Sequence, residues 1–167
     1  MILFDIPHPT RRLLLRSSAV LLIGGLTGCI SADKNTPDDN GDDKTASALP
    51  MVNELRKKKG LSTLSVDSAA SNAALHQARR MAKAGKMSHL IGFNDDFGDR
   101  MKGQGVTLPA AENIAVGQDA TEKAVTAWVN SPKHLANMLG NFRGIGVAVA
   151  RNSASENRPY WAMVLSG

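Results

Sequence analysis

The stretch Ala111–Leu139 constrains this chain more than any other. It opens with A-E-N-I-A-V-G, short and partly alternating, as a strand is. Ala120 to Asn130 then places apolar residues at Ala124, Val125, Ala127, Trp128 and Val129, the spacing of a helix with one broad buried face. At Ser131-Pro132 that helix must stop and another begin. Ser131 offers an N-cap hydroxyl, and Pro132 takes the first helical position, where its missing N–H costs nothing. A short helix over Ser131–Leu139 follows, with His134 and Asn137 three apart on one face. His134 falls in its first turn, where the helix dipole favours the neutral imidazole, the form that binds a metal or accepts a proton.

The rest of the domain reads outward from this stretch. A helix is expected near Leu49–Lys59, apolar at Leu49, Met51, Val52 and Leu55 and closed by Gly60. Asp67 caps the next, which runs to Ala84 and ends at Gly85. Its alanines (69, 70, 73, 74, 78, 82 and 84) let it approach its neighbours closely. His76 is read as a core-edge histidine, whereas His89 lies in a loop past the helix end, where chemistry is often sited. A third helix is expected over Phe93–Lys102, with Asn94 as cap and Asp95 and Asp96 in the first turn. Gly144–Arg151 reads as a central strand and Tyr160–Leu165 as its partner, joined by a turn-rich segment. Trp128, Tyr160 and Trp161 are read as core.

The N-terminus has a different composition. Arg11, Arg12 and Arg16 precede an apolar run, Ala19 to Leu26, too short for an ordinary transmembrane helix. Residues 1–28 therefore read as an export signal, compatible with either a Sec leader or a twin-arginine one. Leu26-Thr27-Gly28-Cys29 resembles the lipobox of bacterial lipoproteins, in which the cysteine becomes the lipidated N-terminus. Cys29 is the chain's only cysteine, so no intrachain disulfide supports the core. Residues 29–48 are polar and acidic and read as a tether that does not fold. Residues 49–167 carry fifteen Lys and Arg against nine Asp and Glu. The basic residues are scattered apart from Arg56–Lys59, which reads as a solvated helix end. With so few aromatics between them, nucleic acid is not an expected partner.

The segment A-E-N-I-A-V-G followed by W-V-N-S-P-K-H-L-A-N-M-L resembles the CAP superfamily in its bacterial SCP-like branch. M-V-N-E-L-R-K-K-K-G-L-S-T-L-S-V-D at 51–67, S-H at 88–89, G-I-G-V-A-V-A at 144–150 and Y-W-A-M-V at 160–164 match in the same order. The resemblance covers 49–167. It implies an α+β fold, a three-layer α-β-α sandwich with a small antiparallel sheet. It also implies a groove in which two histidines and acidic residues gather, with zinc on the histidines in some members. The matching residues are His89, Glu112 and His134, with Ser131 and Asn137 beside them. Ser131 stands where many animal members carry the second acidic residue. Two imidazoles and Glu112 would make a three-ligand site with an open water position. Alternatively, Glu112 orients the histidines from behind.

These readings lead to an exported lipoprotein, anchored through Cys29, whose groove binds a lipid, peptide or envelope component. The alternatives are a metal-dependent hydrolase with Glu112 as base and His89 and His134 as ligands, or a structural envelope protein. There is no G-x-S-x-G serine and no phosphate loop. Ser131 beside His134 suggests a dyad only weakly, because the serine is needed as a cap.

Overall fold

A computed structural model describes residues 40–167. The leader, the lipobox with Cys29 and the tether as far as residue 39 lie outside the described residues. No helix among the described residues is long and apolar enough to cross a membrane.

The two inner strands explain the architecture. Gly144–Arg151 (β4) and Tyr160–Ser166 (β5) are buried almost throughout, so side chains alternate between two covered faces. Ile145, Val147, Val149, Trp161, Met163 and Leu165 point one way, into a core with Thr45–Lys58 (α1), Thr121–Val129 (α4) and Pro132–Met138 (α5). Ala148, Ala150, Tyr160, Ala162 and Val164 point the other way, against Ser68–Ala84 (α2) and Phe97–Gly103 (α3). Large residues thus meet the helices that carry Trp128 and Met138, and small ones meet the alanine face of α2. The closest approach is at Gly146, where a Cβ would fall 2.1 Å from the Ser71 amide nitrogen. The α-β-α sandwich follows from this division.

Across the sheet the order is β1 (Asn40–Asp43), β4, β5, β3 (Ala110–Val116), all antiparallel. Ser65–Val66 (β2) adds a two-residue parallel pairing to the start of β4. The expected boundaries of α2 hold: Asp67 accepts from the amides of Ala69 and Ala70, and Gly85 closes the helix in the left-handed region at φ 63°. Trp128 is buried and donates to the Ile114 carbonyl at 3.1 Å, and Trp161 donates to the Gln118 carbonyl at 2.7 Å.

Several expectations need correction. Residues 40–48 are not tether: they form β1 and the first turn of α1, so the fold begins nine residues before Leu49. An edge strand pairs through its backbone, so polar, exposed Asp42 and Asp43 gave no strand pattern. Thr45 ties this segment in through its hydroxyl, which accepts from Val147 N at 2.9 Å and meets Ser71 Oγ at 3.0 Å. Arg56 is not part of a solvated helix end. It is buried, donating to the carbonyls of Ser62, Met138 and Gly140 and so fastening α1 to the end of α5. The third helix starts at Phe97, later than expected, and its cap is Asp96, which accepts from Asp99 N. Asn94 instead takes a left-handed turn at φ 58°. Ser131 occupies the N-cap position of α5, but its hydroxyl makes no cap bond.

Candidate functional site: a buried carboxylate at the sheet edge

β3 is an outer strand, and two adjacent residues on it face opposite ways. Ile114 belongs to the α2–α3 side of the sheet, so Glu112, two residues earlier, faces that side too. Asn113 faces α5. The site therefore straddles the free edge of β3, with α3 and the loop after α2 on one side and α5 on the other.

On the first side the Glu112 side chain is only 2% exposed, and buried charges persist only when paired. Arg100, 6% exposed, donates to both carboxylate oxygens, at 2.8 Å to Oε2 and 3.3 Å to Oε1. His89 Nδ1 lies 2.9 Å from Oε1. An ionised carboxylate accepts only, so this contact assigns a proton to Nδ1 of His89 and leaves Nε2 outside it. The His89 ring is half exposed at 50%. Arg100 also donates to the His89 carbonyl at 3.1 Å and stacks over Phe97, 5.4 Å from the ring centre.

The His89 loop is held from behind as well. Gln77 Nε2 donates to the carbonyls of Ser88 (2.8 Å) and His89 (3.2 Å). Arg80 bridges the Gln77 amide oxygen and Asp95. Asp95 accepts from Ile91 N at 2.8 Å. Burial pushes the Asp95 carboxyl up, but Arg80 and the Ile91 amide outweigh it and hold it below the usual range. Asp95 is thus a loop anchor, not the helix-dipole residue expected from its place before α3.

On the other side Asn113, fully buried, donates to the His134 carbonyl at 3.0 Å, and Asn137 donates to Asn113 Oδ1 at 2.8 Å. These amides fasten α5 to β3. The His134 imidazole is held below its ordinary pKa first by burial and then by the charge of His89, which puts the two rings within electrostatic reach. Neutrality was expected from the helix dipole; burial is the larger cause. His76 is exposed on α2 and takes no part.

The structure therefore gathers His89 and Glu112 directly, brings His134 and Asn137 to the same edge, and leaves Ser131 at the start of α5 without a cap bond. Sequence reasoning missed Arg100, Asp95 and Gln77. Gln77 carried a findable signal, a polar residue on the buried stripe that runs through Ala70, Ala73, Ala74, Ala78 and Met81. Arg100 carried none.

Metal chemistry is limited by this donor set. Glu112 is 2% exposed and three of its four lone pairs already accept hydrogen bonds, so the carboxylate is a poor third ligand. Among the described residues no group of three or more His, Cys, Asp or Glu is arranged to hold a metal. What fits is the other expected arrangement, two imidazoles with Glu112 holding one from behind. A recess of about 400 Å³ on α4, lined by residues such as Gln118, Glu122 and Thr126, contains none of these groups.

The sequence model of the cysteine-rich secretory protein family, CAP, matches residues 49–165. A Bacillus subtilis protein, YkwD, is 34% identical over 108 residues, 64% of this chain. The aligned region spans 42% of that relative. An outer surface protein of Borrelia burgdorferi superposes with a TM-score of 0.64 at 22% identity, covering 75% of this chain and 97% of that one. An extracellular SCP-domain protein of Bacillus anthracis superposes with a TM-score of 0.63 at 24% identity, covering 72% of this chain and 39% of that one. At these identities the two structures establish the fold alone.

Proposed function

Because this chain belongs to the CAP family of cysteine-rich secretory proteins, we propose that it is an exported, lipid-anchored binding module with its ligand groove at the edge of β3. The observation that carries this reading is the clamp on Glu112. A general base must reach the proton it takes, and Glu112 is 2% exposed behind Arg100 and His89, which bond both of its oxygens. The carboxylate instead orients an imidazole that is half exposed, an arrangement suited to holding a ligand. This is why binding is preferred to hydrolysis. The groove takes a lipid, peptide or envelope component. His89 and His134 are the residues that would hold zinc, which would supply a Lewis-acidic contact for an anionic group on that ligand.

Export agrees with the outer-surface and extracellular relatives, and anchoring with the lipobox at Cys29. The test is NMR of the imidazole resonances as peptidoglycan fragments, phospholipid and peptide are added in turn. His89 and His134 should shift with one of the three and His76 should stay still. If none moves the pair, the binding reading is lost. Zinc titration by calorimetry tests the metal separately. Alanine at either His89 or His134 should abolish binding, and Glu112→Gln should weaken it by about 10–100-fold. Equal zinc affinity without both histidines would remove the metal from the proposal.

A further inference from the structure

The loop that carries His89 has an outer surface that the groove does not explain. Six large apolar side chains among the described residues are exposed, and three of them fall within seven residues: Met87 and Leu90, each 49% exposed, and Phe93 at 97%. A slack loop could show such exposure trivially, but this one is tied down. Gln77, Arg80, Asp95 and Arg100 hold its backbone from the protein side, and Ser88 Oγ bonds the Leu90 carbonyl at 2.8 Å. Buried polar groups thus fix a loop whose apolar side chains face outward. Apolar clusters held this way mark surfaces that are covered in use.

We propose that Met87, Leu90 and Phe93 form the face that this domain lays on the membrane to which Cys29 anchors it. The inference rests on the anchoring reading above and adds the domain's orientation. The first support is the length of the tether. Because the fold begins at Asn40, only residues 29–39 separate the anchor from the domain. Fully extended, they reach about 40 Å, close to the roughly 35 Å diameter expected for a compact domain of this size. The tether keeps the domain within about one diameter of the bilayer, close enough for one of its faces to rest there.

Position is the second support. Asn40 pairs with Arg151, and Gly41 packs beside Leu75 and Arg79 of α2. Gly85, which ends α2, lies against Ser155, a few residues beyond Arg151. The tether therefore enters at the strand end where the 86–93 segment leaves α2, but at the edge of the sheet opposite β3, where His89 sits, so the reach of the tether must bring the loop round to the bilayer. The third support is charge. Exposed Lys83 and Lys86 lead into the apolar segment; at its far end Asp95 is paired with Arg80 and Asp99 with Lys102, exposed Asp96 caps α3, and the 49–167 region as a whole is basic. Basic groups beside exposed aromatic and aliphatic ones suit an anionic lipid interface. With His89 between Met87 and Leu90, the groove would open near the headgroups, where a ligand carried in the membrane reaches it directly.

The test uses the full lipidated chain in phosphatidylglycerol–phosphatidylcholine vesicles, with Phe93→Trp as reporter. Trp128 and Trp161 are buried, so the parent supplies the background to subtract. Brominated phosphatidylglycerol should quench the new tryptophan several-fold more than the parent signal, while aqueous iodide should not reach it. Adding Leu90→Glu should abolish that quenching without stopping vesicle flotation, with the far-UV spectrum unchanged as the folding control. A floated protein whose reporter is quenched by iodide and not by bromolipid overturns the loop assignment and leaves anchoring intact. Shielding from both quenchers means that a protein surface covers the loop, which also overturns it. Flotation undiminished when Cys29→Ala is combined with Leu90→Glu removes the anchoring reading instead.

Discussion

At the scale of single residues, Arg100 and His89 both touch Glu112 but should not be equally important to stability. Removing Arg100 leaves a carboxylate that is 2% exposed with only an imidazole for company. Breaking a buried pair in this way costs about 3–5 kcal/mol. His89 is half in water and Arg100 would remain, so His89→Ala should cost well under that. Urea denaturation of the two variants checks the order, and equal losses would contradict it. The pH dependence follows from His134, whose folded pKa is depressed below 6.5 by burial and then by His89. Below 6.5 the unfolded chain takes up a proton there that the folded chain resists, so the unfolded state binds more protons. Stability is therefore fully present above 6.5 and is lost as pH falls from there through the depressed folded value. Melting temperatures measured downward from pH 7 should fall, and His134→Ala should flatten the slope. His76, also shifted down by burial and by Arg80, contributes in the same direction and makes the flattening partial.

At the scale of elements, the contact between α2 and β4 depends on having no side chain at Gly146. A methyl group there would meet Ser71 N and the Ala70 carbonyl carbon at 2.1 and 2.2 Å, and backbone cannot swing aside as a side chain can. Gly146→Ala should destabilise by at least the roughly 1–3 kcal/mol typical of overpacking. On the opposite face the problem is a void. Trp128→Ala should cost about 3–5 kcal/mol by emptying a large core site, and it also orphans the Ile114 carbonyl. Calorimetric midpoints test both, and an unchanged midpoint for either variant would contradict the packing described for that layer.

At the scale of the whole molecule, the N-terminal boundary matters most. A chain cut to begin at Leu49, where the family match also begins, loses β1 and the first turn of α1. It uncovers the outer edge of β4 from Ala148 to Arg151 and deletes the Thr45 bonds to Val147 and Ser71. An open edge of that kind invites pairing with another chain. The prediction is that a chain from Lys34 stays monomeric, whereas one from Leu49 associates and melts earlier. Light scattering with a thermal scan decides it, and identical behaviour of the two would make β1 dispensable.

What the sequence determined by itself was local. Asp67 and Gly85 bounded α2 because caps act within one turn, and the tryptophans and strand residues announced the core through their periodicity. The family motifs singled out His89, Glu112 and His134, and the structure joins the first two directly. What only the tertiary structure decided concerns groups whose partners are distant or are backbone. Arg56 looked like one more lysine-run charge until α5 brought the Met138 and Gly140 carbonyls to it. Asn40–Asp43 looked like tether because an edge strand is recognised through amides that every residue possesses. Glu112 could be read as ligand, base or orienter from its sequence alone. Its contacts with Arg100, delivered by α3, and with His89 appear only once the chain is folded.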